Sequence, residues 1–335
     1  MSETYVPKVH LDLSVEHWEM VSPLQVAGYT MSALVVLVVN LRDGFHRGRG
    51  EATGRFYFNE GPAEMITAIE AVRERIEAGI SREELRALMP PGGARNAVDC
   101  ALWELESAKA GVPVWQLAGL ELPTSLLTTC TIGAGLPEVM AKSAKELYPE
   151  ASALKLKLLG DRNDADRVRA VRAARQDVWI GVDGNQGFTA ESLNALLPTL
   201  IEADIQLIEQ PCRIGDEAML DGVQSPIPYA ADESLQSLDD FDALGGRFQV
   251  VNIKLDKCGG LTEALMMADR AAKLGLEIMV GNMGGTSLAM APAVLVGQLC
   301  NIVDLDGPLF LTADRKPGVT YSKGQVSLPL GVWGL

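Results

Sequence analysis

Two lysines stand one residue apart in the apolar stretch Ala-Leu-Lys-Leu-Lys-Leu, residues 153–158. With the period of two that a β-strand imposes, the leucines share one face, and Lys155 and Lys157 share the other with Ala153. Two ammonium groups side by side on a buried strand repel each other and lose hydration, which favours the neutral amine, and such an amine can act as a base. The alternative is a surface strand with both lysines in water. The apolar flanks and the acidic residues downstream favour the buried strand.

Four further charged residues follow at nearly even intervals, each near the end of a predicted strand. Asp183 lies in Gly-Val-Asp-Gly-Asn, Glu209 in Leu-Ile-Glu-Gln-Pro, Asp232 in Ala-Ala-Asp-Glu-Ser and Lys254 in Asn-Ile-Lys-Leu-Asp. From Lys157 onward the steps are 22 to 26 residues, the length of one strand-helix unit. In a barrel of parallel strands such side chains reach the same C-terminal edge, where active sites of this fold lie.

Three carboxylates that converge at one edge repel each other unless a cation lies between them. Oxygen ligands without a nearby histidine or cysteine suit Mg²⁺ or Mn²⁺ rather than Zn²⁺. Lysines on the second and sixth strands would flank this cation from opposite sides. That arrangement suits a carboxylate substrate with a base over each face of its α-carbon. For any single carboxylate a strand-end cap or a surface residue is the better interpretation, so the evenly spaced set is the specific signal.

Histidine placement, charge and apolar runs exclude several functional classes. His10, His17 and His46 all precede the predicted barrel, which argues against a barrel His-Asp base pair or a His-ligated zinc hydrolase. The net charge of −15 argues against a nucleic-acid partner. The longest apolar run, residues 33–39, is too short to span a bilayer, and the N-terminus lacks a signal-peptide pattern. We expect a cytoplasmic protein whose five scattered cysteines are free thiols.

Eight predicted strands alternate with helical patterns from about residue 124 onward. This repeat predicts an α/β fold, a modified TIM barrel of the (β/α)7β type over residues 124–311 that carries the metal ligands and the lysines. Residues 1–123 do not repeat and predict an α+β capping domain with specificity loops. Residues 312–335 are predicted to return to that domain. The predicted barrel strands are 126–132, 153–158, 178–183, 205–209, 228–232, 249–255, 277–281 and 301–305.

The capping domain has strand and helix signals of its own. Pro62 begins a predicted helix that continues to about residue 77. Ser81 begins a short helix with a capping-box pattern. A further helix over residues 94–110 ends at Gly111. The predicted strands are 11–17, 32–40 and 48–53.

The capping domain, the barrel and the Lys-x-Lys, Asp, Glu, Asp, Lys series together resemble the enolase superfamily, in its muconate-lactonising subgroup, over essentially the whole chain. The resemblance implies one Mg²⁺ per chain and an acid/base pair of Lys157 and Lys254. It implies that Lys155 polarises an enolate and holds down the pKa of Lys157. It also implies that Asn185 supports the first metal ligand without binding the metal itself. The implied metal ligands are Asp183, Glu209 and Asp232.

A further motif, Asp-Leu-Asp-Gly-Pro from Asp304, ends the predicted eighth strand. With Asp306 it resembles the Asp-x-Asp by which dipeptide epimerases hold the free α-ammonium of the substrate, and two carboxylates suit the three donors of that group. A strand-end turn before Gly-Pro is the alternative. The implied reaction is epimerisation of the C-terminal residue of a dipeptide, in which one lysine removes the α-proton and the other returns one from the opposite face. Asp256 shares the face of Lys254 and is another candidate substrate contact.

Specificity in this superfamily lies partly in a loop near residue 20. Epimerases of Ala-Glu are expected to carry an arginine there, whereas residues 22–29, Ser-Pro-Leu-Gln-Val-Ala-Gly-Tyr, contain no basic residue. The loop therefore argues against Ala-Glu and favours an apolar or other dipeptide, with Gln25 as a candidate contact. Arg55, in a predicted second loop Arg-Phe-Tyr-Phe, is equally a replacement for the missing arginine or an ordinary exposed residue.

Two rival functions stay open at this point. A cycloisomerase, an o-succinylbenzoate synthase or an N-acylamino-acid racemase would keep the lysines and carboxylates but would have no use for Asp304 and Asp306. A non-catalytic metal-binding barrel is the other rival, and the intact lysine pair argues against it. The resemblance also implies a homo-oligomer that takes a small-molecule substrate.

Overall fold

The computed structural model describes residues 8–26 and 29–334. Its N-terminal part contains an antiparallel sheet in the order β1-β2-β3. The strands are β1 (His10–Val26), β2 (Tyr29–Asp43) and β3 (His46–Ala52). The three predicted strands are confirmed, although the first two extend further than predicted and form one long hairpin.

This hairpin corrects the interpretation of residues 22–29 as a loop. Beyond a register shift in the ladder, Leu24 of β1 pairs with Met31 of β2. Pro23 lies inside the register shift, where the ladder needs no N–H from it. Residues 27 and 28 lie outside the described part of the chain.

Short helices follow the N-terminal sheet. They are α1 (Pro62–Glu70), α2 (Arg73–Glu77), α3 (Arg82–Leu88), α4 (Gly93–Ala110) and α5 (Val114–Leu117), after a 3-10 helix at Phe56–Phe58. The helix predicted from Pro62 to residue 77 is interrupted at Val72, whose backbone is not helical (φ −122°, ψ 11°). The predicted cap is confirmed, since the hydroxyl of Ser81 accepts from the Glu84 N–H (3.2 Å). The predicted end of α4 at Gly111 is confirmed by its left-handed φ of 66°.

Helix α4 lies directly against β3 because two positions of that strand lack a side chain. A Cβ at Gly48 would lie 1.9 Å from the carbonyl oxygen of Ala101. A Cβ at Gly50 would lie 1.9 Å from the carbonyl oxygen of Ala97. Neither glycine needs its freedom of φ; each is required because the helix backbone approaches the strand so closely.

The predicted first barrel strand, residues 126–132, is two strands in different sheets. β4 (Leu126–Leu127) pairs with β14 (Gln325–Ser327), which forms a hairpin with β13 (Thr320–Ser322), whereas β5 (Cys130–Ile132) joins the central sheet. The change of partner falls between them, where the Thr128 N–H donates to the carbonyl oxygen of Gly324 (3.0 Å). A continuous apolar pattern does not indicate that a strand changes partner along its length.

The central sheet contains eight parallel strands, each bonded to its neighbours in chain order. They are β5, β6 (Ala153–Lys157), β7 (Trp179–Asp183), β8 (Leu207–Glu209), β9 (Tyr229–Ala231), β10 (Val250–Ile253), β11 (Glu277–Val280) and β12 (Ile302–Val303). The α-helices between them are α6 (Pro137–Glu146), α7 (Asp164–Ala174), α8 (Ala190–Glu202), α9 (Leu255–Cys258), α10 (Leu261–Leu274) and α11 (Ser287–Gly297). The crossovers after β8 and β9 are 3-10 helices, Glu217–Gly222 and Leu238–Leu244, and another, Gly307–Phe310, follows β12.

The two edges of the central sheet meet. Just before β5, the Thr129 N–H donates to the carbonyl oxygen of Val303 in β12 (2.9 Å). The Leu305 N–H donates to the hydroxyl of Thr128 (3.0 Å). The sheet therefore curls on itself, and the predicted α/β fold with an N-terminal cap is confirmed.

The end of the chain contacts the N-terminal part. The indole N–H of Trp333 donates to the carbonyl oxygen of Arg49 (2.9 Å), and Nη2 of Arg49 donates to the carbonyl oxygen of Val332 (2.8 Å). These bonds agree with the predicted return of residues 312–335, while the division at residues 123 and 311 stays a prediction. Among the described residues, the helices are too short or too polar to cross a bilayer.

Candidate active site

The lysines occupy the inner face of the central sheet. Leu154 and Leu156 of β6 belong to the apolar core, whereas the side chains of Lys155 and Lys157 form ion pairs with carboxylates of other strands. The period of two predicted from the sequence is therefore confirmed. Both lysines are buried, so the surface-strand alternative is wrong.

The three predicted ligand carboxylates converge at the C-terminal ends of their strands. Asp183 ends β7, Glu209 ends β8 and Asp232 directly follows β9; all three are buried. One oxygen of each lies within 4.8 Å of the others. Nζ of Lys157 donates to Oδ2 of Asp183 (2.5 Å), and Nζ of Lys254 donates to Oδ2 of Asp232 (2.6 Å).

Lys155 lies among carboxylates from more distant strands. Its Nζ donates to Oε2 of Glu209 (3.3 Å) and forms a closer ion pair with Oδ2 of Asp304. Burial alone would lower the pKa of Lys155, but the carboxylates of Asp304, Glu209 and Asp183 outweigh it and raise that pKa well above its usual value. Lys155 is therefore an ammonium ion in this arrangement, because its nearest charges come from neighbouring strands rather than from its own.

Lys254 shows the same balance. Burial lowers its pKa, and the carboxylates of Asp232 and Glu209 raise it above the usual value of a lysine by more. In this arrangement the lysine is an ammonium ion. An amine that acts as a base at this position therefore needs another cation to neutralise the carboxylates around it.

The carboxylate triad fits a hard divalent cation. Its donors are all oxygens, which Mg²⁺ prefers over nitrogen or sulfur. Burial and the adjacent Asp183 carboxylate raise the pKa of Glu209 to about 7, so the cluster is short of positive charge even with its lysines. Asp183, Glu209 and Asp232 are thus the residues that would hold the predicted Mg²⁺.

The two aspartates of the Asp-x-Asp motif differ in their surroundings. Asp304 is paired with Lys155, and its Oδ1 accepts from the hydroxyl of Thr129 (2.5 Å). Oδ2 of Asp306 accepts from the Thr131 N–H (2.6 Å), and burial and the Asp304 carboxylate raise the pKa of Asp306 to about 6. Both aspartates line the cavity that Lys155, Lys157 and Lys254 also line, which we call the lysine cavity. The strand-end turn is therefore not their only role.

Asn185 is predicted to support the first metal ligand, and Asp256 is predicted to contact the substrate. Asn185 lines the cavity, and its backbone N–H donates to Oδ1 of Asp183 (2.9 Å). Asp256 is elsewhere: its Oδ1 accepts from the backbone N–H groups of Thr53 and Gly54 (both 2.9 Å). Asp256 therefore anchors the N-terminal part to the central sheet, and its predicted substrate contact is not supported, because helix α9 turns it away from Lys254.

Arg55 and Gln25 do not line the lysine cavity. Nε of Arg55 pairs with Glu60 (2.7 Å), and Nη2 donates to the carbonyl oxygen of Pro91 (3.1 Å). Nη1 of Arg55 also donates to Oε1 of Gln236 (3.4 Å). Its guanidinium is therefore already engaged, which speaks against a substitute for the missing arginine. Gln25 accepts from the hydroxyl of Thr30 (2.5 Å) and faces a neighbouring groove.

The rest of the cavity wall is mostly apolar. Phe56 and Tyr57, from the aromatic segment after Arg55, line it. The long hairpin also contributes to the wall, through Leu24, Met31 and Leu34. The remaining apolar lining residues are Met20, Met283, Phe310 and Leu311.

Three buried polar residues near the triad escape a prediction based on strand ends. Glu233 follows Asp232 directly, lines the cavity, and has its pKa raised to about 8 by burial and by Asp232. Asn252 lies on β10, two residues before Lys254, which directly follows that strand. Lys257 lies in α9, about one helical turn after Lys254. The period of two would have indicated Asn252, whereas Lys257 becomes visible only once α9 is known.

Two family models match the chain. "Mandelate racemase / muconate lactonizing enzyme, N-terminal domain" matches residues 9–119, and "Enolase C-terminal domain-like" matches residues 139–331. The chain is 36% identical over 313 residues to the L-Ala-D/L-Glu epimerase of Escherichia coli (strain K12). This alignment covers 93% of this chain and 98% of the relative. It is 40% identical over 255 residues to an N-acetyl-D-glutamate racemase of a Pseudoalteromonas species, at 75% and 79% coverage.

Solved structures have the same fold. An enolase family member from Agrobacterium tumefaciens with homology to dipeptide epimerases, with sodium and L-Ala-L-Glu bound, is 40% identical with a TM-score of 0.94, over 97% of this chain and all (100%) of that one. A dipeptide epimerase from Enterococcus faecalis V583, in complex with Mg and L-Leu-L-Tyr, is 27% identical with a TM-score of 0.86, over 96% and 97% of the two chains.

Proposed function

Because the chain belongs to the mandelate racemase / muconate lactonizing enzyme family of the enolase superfamily, we propose that it is a Mg²⁺-dependent epimerase of dipeptides, an isomerase that inverts the α-carbon of the C-terminal residue. One observation carries this proposal. Lys157 on β6 and Lys254 after β10 are four strands apart in the eight-stranded curl, and each is bonded to a carboxylate of the triad. Two amines on opposite sides of one α-carbon are what a 1,1-proton transfer needs.

Lys157 and Lys254 exchange roles with the direction of the reaction. One Nζ, as the free amine, takes the α-proton, and the electron pair left behind moves into the adjacent carboxylate group. The opposite ammonium then gives a proton to the other face, which inverts the centre. When held by the triad, Mg²⁺ supplies positive charge that stabilises the electron-rich carboxylate. Lys155 adds a fixed ammonium on the same side of the cavity.

The free ammonium of the dipeptide is assigned to Asp306 in this proposal. Asp304 is already paired with Lys155 and bonded by Thr129. Oδ1 of Asp306 accepts only a long bond, 3.4 Å, from Nδ2 of Asn282, so a closer donor can replace it. Asp304 then acts indirectly, because it fixes Lys155.

The cavity favours an uncharged side chain on the residue that is inverted. In the described part of the chain, the cations that line the cavity are Lys155, Lys157 and Lys254, and each is paired with a carboxylate. Burying a glutamate side chain against Leu24 and Met31 without a cation would cost several kcal/mol (roughly 2–7 even for a neutral polar group). We therefore propose an apolar C-terminal residue, such as leucine, rather than glutamate.

Racemisation of N-acylamino acids is the second candidate. The pairing of Asp304 with Lys155 leaves one free carboxylate where an ammonium-binding pair was predicted, and an N-acyl substrate needs none. The 40% identity to an N-acetyl-D-glutamate racemase favours the same alternative. A non-catalytic barrel finds no support, since it would not need four buried lysines around the triad.

The first test uses substrates that differ in the free amine or in the C-terminal side chain. The protein is incubated with Mg²⁺ in D₂O and either L-Ala-L-Leu, N-acetyl-L-leucine or L-Ala-L-Glu, and mass spectrometry follows the exchange of the α-hydrogen. We expect exchange and epimerisation of L-Ala-L-Leu. If N-acetyl-L-leucine exchanges as fast as L-Ala-L-Leu or faster, the second candidate is established. If L-Ala-L-Glu alone exchanges, the proposal of an apolar C-terminal residue is refuted. No exchange of any substrate, with Mg²⁺ demonstrably bound, would refute 1,1-proton transfer.

Asp306→Asn separates the two candidates within the same protein. It removes the charge that attracts an ammonium but keeps the shape and the acceptor. We expect kcat/KM for L-Ala-L-Leu to fall at least tenfold, since a buried charge-assisted hydrogen bond contributes about 1.5–3 kcal/mol. The rate with N-acetyl-L-leucine should be unchanged. An equal loss with both substrates would assign Asp306 a structural role.

We also propose a cytoplasmic location and a homo-oligomeric state. All five cysteines are free thiols, and Cys100, Cys130, Cys212 and Cys258 are buried, which suits a reducing compartment. Size-exclusion chromatography with light scattering would measure the oligomeric state.

A further inference from the structure

Each carboxylate of the triad has one oxygen that faces a lysine of the cavity. The pairs are Lys157 with Oδ2 of Asp183 (2.5 Å), Lys155 with Oε2 of Glu209 (3.3 Å) and Lys254 with Oδ2 of Asp232 (2.6 Å). One oxygen of each carboxylate lies within 4.8 Å of the others. Nζ of Lys155 lies near both Oδ2 of Asp183 (3.6 Å) and Oε2 of Glu209 (3.3 Å), so the lysine-facing oxygens are the ones we assign to a cation bound by the triad.

The other oxygen of each carboxylate is held by a different donor. The donors are the Asn185 N–H on Oδ1 of Asp183 (2.9 Å), Nδ2 of Asn252 on Oε1 of Glu209 (2.8 Å) and Nζ of Lys257 on Oδ1 of Asp232 (2.6 Å). A carboxylate turns freely about its last bond unless one oxygen is fixed. Fixing the outer oxygen therefore directs the inner one.

Lys257 is bound on all sides. It is 1% exposed, and its ammonium donates to both the side chain and the backbone carbonyl of Asp232 and to the carbonyl oxygen of Asn252 (2.9 Å). These bonds use the three donors that a lysine has. Asn252 and Lys257 thus form one unit, which connects β10 to the segment that carries Asp232.

We propose that Asn252 and Lys257 are positioning residues that hold Glu209 and Asp232 in the orientation that binds the metal ion. Neither belongs to the residues that line the cavity, so they act through the carboxylates and not on the substrate. The inference rests on the metal site of the proposed function but not on the identity of the substrate. Donors of this kind typically change metal affinity 10- to 100-fold when they are removed.

The test measures metal binding directly. Mn²⁺ is titrated into the protein, free Mn²⁺ is read by electron paramagnetic resonance, and the unfolding midpoint is recorded without metal. Lys257→Met and Asn252→Leu remove the donors but keep approximate size. We expect the Mn²⁺ dissociation constant to rise 10- to 100-fold in each variant.

Matched controls remove a buried cation and an exposed asparagine amide, both far from the triad. Arg175→Met removes a buried cation that bonds the carbonyl oxygens of Ala144 and Ala151. Asn301→Leu removes an amide whose Oδ1 accepts from the Ile278 N–H (3.0 Å), before β12. Both should lower the unfolding midpoint and leave the Mn²⁺ dissociation constant within threefold of the original protein.

A second asparagine variant keeps the test decisive if Lys257→Met does not fold. Asn252→Asp keeps the shape but places a carboxylate against Glu209, and should weaken Mn²⁺ binding at least as much as Asn252→Leu. Folded Asn252 variants that bind Mn²⁺ like the original protein would overturn the inference while the metal site stands. Failure of the original protein to bind Mn²⁺ would overturn the metal site and this inference together.

Discussion

Replacing Lys254 by methionine should separate the two halves of the proposed proton transfer. Lys157 lies four strands away and reaches the opposite face of the substrate, so it can still exchange the α-hydrogen that faces it. Exchange with D₂O should continue for one of L-Ala-L-Leu and L-Ala-D-Leu and stop for the other. Lys157→Met should reverse this preference. Loss of a positioned acid/base group costs about 10²- to 10⁴-fold, or roughly 3–5 kcal/mol of transition-state stabilisation, so epimerisation should fall by that factor in both variants.

The fold should survive both substitutions, because a second donor stays on each affected carboxylate. Asp232 keeps Lys257, and Asp183 keeps the N–H of Asn185. Lys273→Met is the control, since Lys273 pairs only with Asp269 on the surface (2.5 Å, 68% exposed), and its rates should match the original protein. The reasoning is refuted if both variants retain exchange with the same diastereomer, or if either still epimerises at the original rate.

Two further predictions concern stability. Burial raises the pKa of Asp256 to about 7, against about 4 in the unfolded chain. Between these two pH values the native state therefore holds a proton that the unfolded state has lost. Asp256→Asn keeps Oδ1 as the acceptor for Thr53 and Gly54 but cannot ionise. The original protein should therefore lose up to about 1.4 kcal/mol of stability per pH unit between pH 5 and 7, which urea unfolding of both proteins at several pH values measures; parallel curves would contradict it. Gly50→Ala places a Cβ 1.9 Å from the carbonyl oxygen of Ala97 and should cost about 1–3 kcal/mol or more, read from the same unfolding curves, whereas Gly44→Ala, with open space around it but φ +60°, should cost about 1 kcal/mol.

The part of the site that follows from regular repeats could be predicted from the sequence. Alternation along β6 places both lysines on one face, and the even strand-helix spacing places Asp183, Glu209 and Asp232 at one edge of the sheet. The family prediction is confirmed by the two family models that match the chain. Such features depend on local periodicity, which the sequence displays directly.

The part that depends on contacts between distant segments could not be predicted. Arg55 is engaged by Pro91 and Gln236, and Asp256 is turned by a four-residue helix toward the N-terminal part. Residues 126–132 change sheets in mid-run because a C-terminal hairpin, about two hundred residues later, supplies a partner. None of these partners is indicated by the residues next to them in the chain.

The charge of Lys155 shows how local and long-range evidence differ. The sequence shows Lys157 two positions away on the same strand, and repulsion between neighbours suggests a free amine. In a curled parallel sheet, however, the charges closest to Lys155 are Asp304 and Glu209 on other strands. Their attraction is larger than the repulsion, so the lysines and carboxylates neutralise each other first. Base chemistry and metal binding are therefore one electrostatic problem here, because the carboxylates that raise the pKa of Lys254 are the ones that would hold the cation.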